Sequence, residues 1–93
     1  MSEKVRLKAI VYGYVQGVSF RYYTRQQARQ LGLTGYVRNR WNRTVEVVAE
    51  GVREDVARLL NWLHKGPSMA VVEKVDAEWL PYLGEFRGFE VRY

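Results

Sequence analysis

What most constrains the fold of this chain is the order in which two hydrophobic periodicities follow one another. Val5-Arg6-Leu7-Lys8-Ala9-Ile10-Val11-Tyr12 alternates apolar and polar residues at its start and then turns wholly apolar, the pattern of a strand with one face on a core. From Phe20 the apolar or small residues Phe20, Thr24, Ala28 and Leu31 recur at helical spacing, so the next element is an amphipathic helix. Ser19 is placed to cap that helix at its start, and Gly32 to close it in the left-handed conformation. Tyr36-Val37-Arg38-Asn39 and residues 44–50 then read as two strands joined by a short hairpin around Asn42. Val56, Leu59, Leu60 and Leu63 stand at i, i+3, i+4 and i+7 and define a second helix, which Gly66 and Pro67 end. Two strand candidates follow, over residues 71–79 and from Phe86 or Phe89 to residue 93. The order β-α-β-β-α-β predicts an α+β, ferredoxin-like sandwich: a mostly antiparallel sheet with both helices on one face.

Ninety-three residues make one domain, and no linker, repeat or low-complexity tract divides residues 1–93. The chain has no cysteine, which removes disulfides, thiolate catalysis and cysteine-ligated metals from consideration. Its single histidine, His64, falls at the end of the second helix beside Lys65, where it suits the helix dipole better than a metal. Neither a transition metal nor a cofactor is expected. No stretch approaches the roughly 18 apolar residues of a membrane span and no signal-peptide core precedes the first strand, so the cytoplasm is the expected location. Charge is unevenly spread: residues 1–45 hold nine Lys and Arg against one acidic residue, and residues 46–93 hold six against nine. A basic first half favours an anionic partner but does not tell a small phosphate from a nucleic acid.

The loop Gly13-Tyr14-Val15-Gln16-Gly17-Val18-Ser19-Phe20-Arg21 lies between a predicted strand and the start of a helix. Backbone N–H groups there lack intrahelical partners, and with the helix dipole they form an anion site. Gly13 and Gly17 allow positive φ and keep side chains out of the concavity. Arg21 falls in the first helical turn, where its fork of donors suits phosphate better than an ammonium would. The loop is neither a Walker loop nor a GxGxxG turn. By spacing alone it reads equally well as a glycine-supported turn with an exposed arginine, and Asn39 as a turn residue at a strand end.

The run GYVQGVSFR resembles the acylphosphatase signature G-x-V-Q-G-V-x-F-R. Gly35-Tyr36-Val37-Arg38-Asn39, followed by Val45 and Gly51, resembles that family's second signature. The similarity extends to the element order, the Lys65-Gly66-Pro67 break and the Phe89-Glu90-Val91 ending. The resemblance implies a metal-independent, cofactor-free hydrolase that splits acyl phosphates into a carboxylate and inorganic phosphate. It implies that the substrate phosphate is held by Arg21 and by the backbone amides of Gln16, Gly17, Val18, Ser19 and Phe20, and that Asn39 positions the attacking water. These roles suit the chemistry, because an acyl phosphate already carries a good leaving group and needs mainly a placed water and stabilised phosphoryl charge.

Two features depart from the family pattern. The hairpin turn is Trp41-Asn42-Arg43-Thr44 where a glycine is usual, so either Arg43 is strained or Asn42 takes the left-handed position. Arg40 also stands where a small hydroxyl residue is common. Asn42-Arg43-Thr44 matches a glycosylation sequon, read as coincidental without a secretion signal. Tyr22, Tyr23, Trp62, Trp79 and Tyr82 are expected mostly in core or sheet packing.

An RNA-recognition module shares the element order, but the corresponding third-element strand, residues 44–50, has no aromatic residue and two glutamates, against base stacking. An accessory module of a larger maturation enzyme, or a phosphate-binding relative without turnover, is the other alternative. A chain that starts at Met1 and carries both Arg21 and Asn39 favours a free-standing, monomeric enzyme with no nucleic-acid or membrane partner.

Overall fold

The computed structural model describes residues 3–93. Its elements are β1 (Lys4–Tyr14), α1 (Phe20–Gln30), β2 (Thr34–Asn39), β3 (Val45–Val52), α2 (Arg53–Lys65), β4 (Val71–Pro81) and β5 (Phe89–Arg92). The strands form one sheet in the order β4-β1-β3-β2-β5. Pairing is antiparallel throughout, except that β5 runs parallel to β2. This is the expected ferredoxin-like frame with the terminal candidate added as an edge strand. That strand begins at Phe89; Phe86 lies before it and packs its ring edge-on to Tyr36 at 5.9 Å.

The alternation read in the first strand is realised residue by residue. Val5, Leu7, Ala9 and Val11 are buried together with Val45, Val47 and Ala49 of β3, Val37 of β2 and Phe89 of β5. Phe20 and Ala28 of α1 and Val56, Leu59 and Leu63 of α2 complete that core. Burying each large aliphatic side chain contributes roughly 1.5–3 kcal/mol, so this stripe supplies the main drive for docking the helices. α1 rests on β2 and β5, and α2 on β1, β3 and β4. Gly32 and Gly66 end the helices with φ of 70° and 69°, as their positions suggested.

Gly13 has the expected positive φ, 127°, but not the expected place at the concavity. It lies inside β1, at the register shift against β4, and a Cβ there would stand 2.1 Å from the Val71 carbonyl oxygen. Positive φ and the close approach of β4, and not the concavity of the loop, are what require glycine.

Most of the aromatic expectations do not hold. Trp62 packs on Phe20 with ring centroids 5.7 Å apart, but Tyr22, Tyr23, Trp79 and Tyr82 are exposed. The buried stripe of α1 is Phe20, Thr24 and Ala28, which turns Tyr22 and Tyr23 outward. Trp79 and Tyr82 belong to the uncovered edge, where Arg53 and Lys4 lie over their rings.

β4 and β5 occupy opposite edges of the sheet, so residues 82–88 must pass from one to the other. Glu50 anchors this passage. Its buried carboxylate accepts the Leu83 N–H at 2.8 Å, the Gly84 N–H at 3.1 Å and an Arg6 donor at 3.3 Å. Arg6 also donates to Glu85 at 2.8 Å. Burial opposes the charged guanidinium of Arg6, but its two carboxylate partners outweigh that and raise its pKa. Glutamates in the third-element strand thus do structural work that the alternation alone does not reveal.

Candidate active site

The segment between β1 and α1 is shaped by two left-handed residues. Gly17 has φ of 76° and no neighbour that a Cβ would meet, so its glycine is required by conformation alone. Ser19 has φ of 59° and ψ of 27°, uncommon for a residue with a side chain. Ser19 does occupy the N-cap position, but no hydrogen bond runs from its side chain to the helix. A left-handed cap directs the hydroxyl away from the N2 and N3 amides that an extended cap residue serves. The helix closes its first turn through the Tyr23 N–H, which donates to the Ser19 carbonyl at 3.1 Å. Among the described residues, the N–H groups of residues 16–20 have no acceptor within the chain. Positive-φ residues alternating with others at a helix start make a concavity of backbone donors that suits an anion.

A cavity of about 400 Å³ opens at this helix start. Val15, Gly17, Ser19 and Phe20 line it from the loop, Arg21, Tyr22 and Arg25 from α1, Asn39 from β2, and Val91 and Tyr93 from the chain end. Among the described residues no Asp or Glu side chain lines it and α1 has no acidic residue in its first turn, whereas Arg21 and Arg25 do line it, so its side-chain charge is positive. Arg21 is half-buried, with its guanidinium 4.7 Å from the centre of the Tyr93 ring. Tyr93 is 99% exposed, so this contact is a solvated one, contributing about 0.5 kcal/mol.

Asn39 ends β2 on the face shared with the helices, in register with Val45. Its Oδ1 is buried and has no hydrogen-bond partner, an arrangement that costs about 1–3 kcal/mol unless a bound group supplies a donor. On the opposite face the adjacent pair, Arg38 and Glu46, braces the same strands. Glu46 accepts from Tyr36 Oη at 2.6 Å and from Arg38 at 3.1 and 3.2 Å. Burial disfavours the Glu46 carboxylate, but these bonds and the charges of Arg38 and Lys8 prevail and lower its pKa. Burial and the neighbouring carboxylate raise Tyr36, and the Glu46 hydrogen bond raises Arg38.

The turn beyond Asn39 resolves the alternative left by the sequence. Arg43 takes the left-handed conformation, with φ of 71°, at a cost of about 1–2 kcal/mol. Asn42 instead uses its side chain, whose Oδ1 accepts from Thr44 Oγ1 at 2.6 Å and from the Thr44 N–H at 3.3 Å.

The predicted site residues Gly17, Ser19, Phe20, Arg21 and Asn39 therefore meet in one cavity. Gln16 and Val18 do not line it: Gln16 faces a cavity bounded by Arg43 and Glu73, and Val18 one bounded by Tyr23 and Met69. His64 is exposed in the last turn of α2 and lines none of these cavities. Sequence reasoning missed Arg25 and Tyr93. Arg25 was within reach, because it lies one helical turn after Arg21 on the same face. Tyr93 was not, because its place depends on the parallel pairing of β5 with β2.

The same fold occurs in known proteins. The model of the family described as Acylphosphatase matches residues 7–91. An acylphosphatase of Pelotomaculum thermopropionicum is 49% identical over 90 residues, covering 97% of this chain and 98% of its own length. Among solved structures, an acylphosphatase from Coxiella burnetii superposes with a TM-score of 0.90 at 38% identity, over 96% of this chain and 93% of its own. The acylphosphatase from Bacillus subtilis gives 0.92 at 29% identity, over 96% and 99%. With a family match spanning nearly the whole sequence and the same fold in both solved relatives, the chain belongs to the acylphosphatase family.

Proposed function

We propose that the hydrolysis of acyl phosphates takes place in the cavity at the start of α1, with the phosphate held by Arg21 and the loop amides and the water held by Asn39. The observation that carries this reading is the meeting, in one positively charged cavity, of unpaired loop N–H groups, Arg21 and the partnerless Oδ1 of Asn39. The water oxygen attacks phosphorus, the bond from phosphorus to the acyl oxygen breaks, and the electron pair leaves on the carboxylate. R–CO–O–PO₃²⁻ and H₂O become R–COO⁻ and H₂PO₄⁻. Arg21 and the amides neutralise charge on the phosphoryl oxygens, while Asn39 accepts a hydrogen bond from the water and orients it. The leaving carboxylate needs no general acid, and the phosphate oxygens or the water itself take up the proton. In this reading Gln16 and Val18 hold the phosphate through their backbone amides, and their side chains do not touch it.

The remaining parts of the proposal concern the setting. The sheet face away from the helices holds Glu46 and Glu50 in pairs with Arg38 and Arg6, which supports a small-molecule substrate over a nucleic acid. The free edge strand β4 carries Glu73, Lys74, Asp76, Glu78 and Pro81, residues that discourage edge pairing and favour a monomer. No helix is long and apolar enough to cross a membrane among the described residues, and a cytoplasmic location is the proposed one.

The test is turnover of benzoyl phosphate in excess EDTA by the wild type and by Arg21→Gln. The wild type hydrolyses it at a rate the chelator does not change, and the variant loses both turnover and inhibition by inorganic phosphate. Full activity in a folded Arg21→Gln would refute the assignment of Arg21. Loss on chelation with restoration by a divalent ion would refute the metal-independent mechanism.

A further inference from the structure

We infer that the side chain of Gln16 is a positioning residue that sets the distance between the phosphate cradle and the water held by Asn39. The inference rests on the reading of Arg21 and Asn39 given above, and adds a role for a group that does not enter their cavity. The two halves of the site belong to separate parts of the chain: the cradle to the loop after β1, and Asn39 to the end of β2. Gln16 joins them. Its Nε2 donates to the Arg40 carbonyl and to the Thr44 carbonyl, both at 2.9 Å.

Those two carbonyls form the neck of the β2–β3 hairpin, immediately beyond Asn39. Thr44 O also accepts the Arg40 N–H at 2.8 Å, and Arg40 O accepts the Arg43 N–H at 3.2 Å. Gln16 therefore binds a closed node and not a mobile strand end. The residue type follows from the node. Two carbonyls facing one position call for two donors on a single nitrogen, which an amide NH₂ supplies. Glutamate would face both carbonyls with lone pairs, and asparagine lacks a methylene of reach. Arg43, strained at the hairpin tip, and Gln16 line a cavity that neither Arg21 nor Asn39 lines, so the side chain acts without entering the site. Without it, Asn39 and the cradle are tied only through the sheet and the helix packing, and a displacement on the order of 1 Å between reacting groups costs about 10²-fold in rate.

The experiment compares Gln16→Met and Gln16→Glu with the wild type, using benzoyl phosphate turnover, competitive inhibition by inorganic phosphate and thermal unfolding. Methionine keeps the length and removes both donors, and the expected result is a kcat about 10- to 100-fold lower with KM and the phosphate inhibition constant within about twofold. Glutamate regains one O–H donor on protonation, so its kcat relative to wild type rises as the pH is lowered from 7 to 5. A wild-type kcat in Gln16→Met overturns the inference, as does an equal loss of kcat and phosphate affinity, or a Gln16→Glu profile parallel to wild type. If Gln16→Met does not fold, the Gln16→Glu profile decides, read where circular dichroism shows folded protein. Wild-type turnover and its loss in Arg21→Gln are measured alongside, so that failure of the site assignment is distinguished from failure of the role given to Gln16.

Discussion

Replacing Asn39 by alanine is expected to lower activity without lowering stability. In the folded chain the Oδ1 of Asn39 is buried without a partner, and a buried acceptor left unsatisfied costs about 1–3 kcal/mol. Alanine removes that group together with its desolvation cost. It also deletes part of a half-buried side chain, giving up about 1 kcal/mol of packing on the scale of one to two methylene groups. The two contributions nearly cancel or leave a small gain, so the melting temperature stays the same or rises by a few degrees for a domain of this size. In the proposed mechanism the transition state loses an oriented water, and loss of one preorganised hydrogen-bonding group costs about 10²–10³ in kcat, or about 2.7–4 kcal/mol. Phosphate affinity stays within about twofold, because the Arg21 cradle is untouched. The assay pairs steady-state turnover of benzoyl phosphate with phosphate inhibition and thermal unfolding of the same preparation. A variant that melts well below the wild type while retaining its kcat would show Asn39 to be a structural strand-end residue and refute the reasoning.

Two further substitutions test the framework around the site. Thr24 is fully buried in α1 and its Oγ1 has no hydrogen-bond partner; Thr24→Val keeps the shape, discards the orphaned hydroxyl and raises stability by about 1 kcal/mol, read as an increased denaturant midpoint at constant m-value. Glu46→Gln lowers stability by about 1–2 kcal/mol at neutral pH, by exchanging charge-assisted bonds from Tyr36 and the partly exposed Arg38 for neutral ones. The Glu46 pKa is held below its usual 4.5, so its contribution is complete above that value and is lost as the pH falls through the folded-state pKa. The gap between wild type and Glu46→Gln therefore narrows as the pH falls below 4.5, and a gap independent of pH would refute the role given to the carboxylate.

Much of this molecule was legible before its structure. The alternation in residues 5–11 and the helical stripes of Phe20, Thr24 and Ala28 and of Val56, Leu59 and Leu63 are local consequences of period, and such patterns survive into the fold because each buries one face. The order of those elements leaves few topologies, and the loop from Gly13 to Arg21 with Asn39 pointed to the site through motif resemblance. Residues 44–50 were harder to read. Their mixture of valines and glutamates describes a half-exposed strand, yet β3 is central and both its faces are covered. Glu46 and Glu50 become buried there because Arg38, Tyr36, Arg6 and the amides of residues 83 and 84 come to them from other elements.

By itself the sequence determined the periodic elements, their order, the glycine stops at Gly32 and Gly66, and the family to which the chain belongs. Only the tertiary structure decided that Ser19 and Arg43 take left-handed conformations, that Gly13 serves the contact with β4, that the Arg21 guanidinium lies over the Tyr93 ring and that Gln16 clasps the hairpin of Asn39. The physical reason is separation along the chain. A period of two or of 3.6 residues is written within one segment, whereas the partner of a side chain some 20 or 70 residues away is chosen when the sheet closes, by which strands become neighbours and in which register.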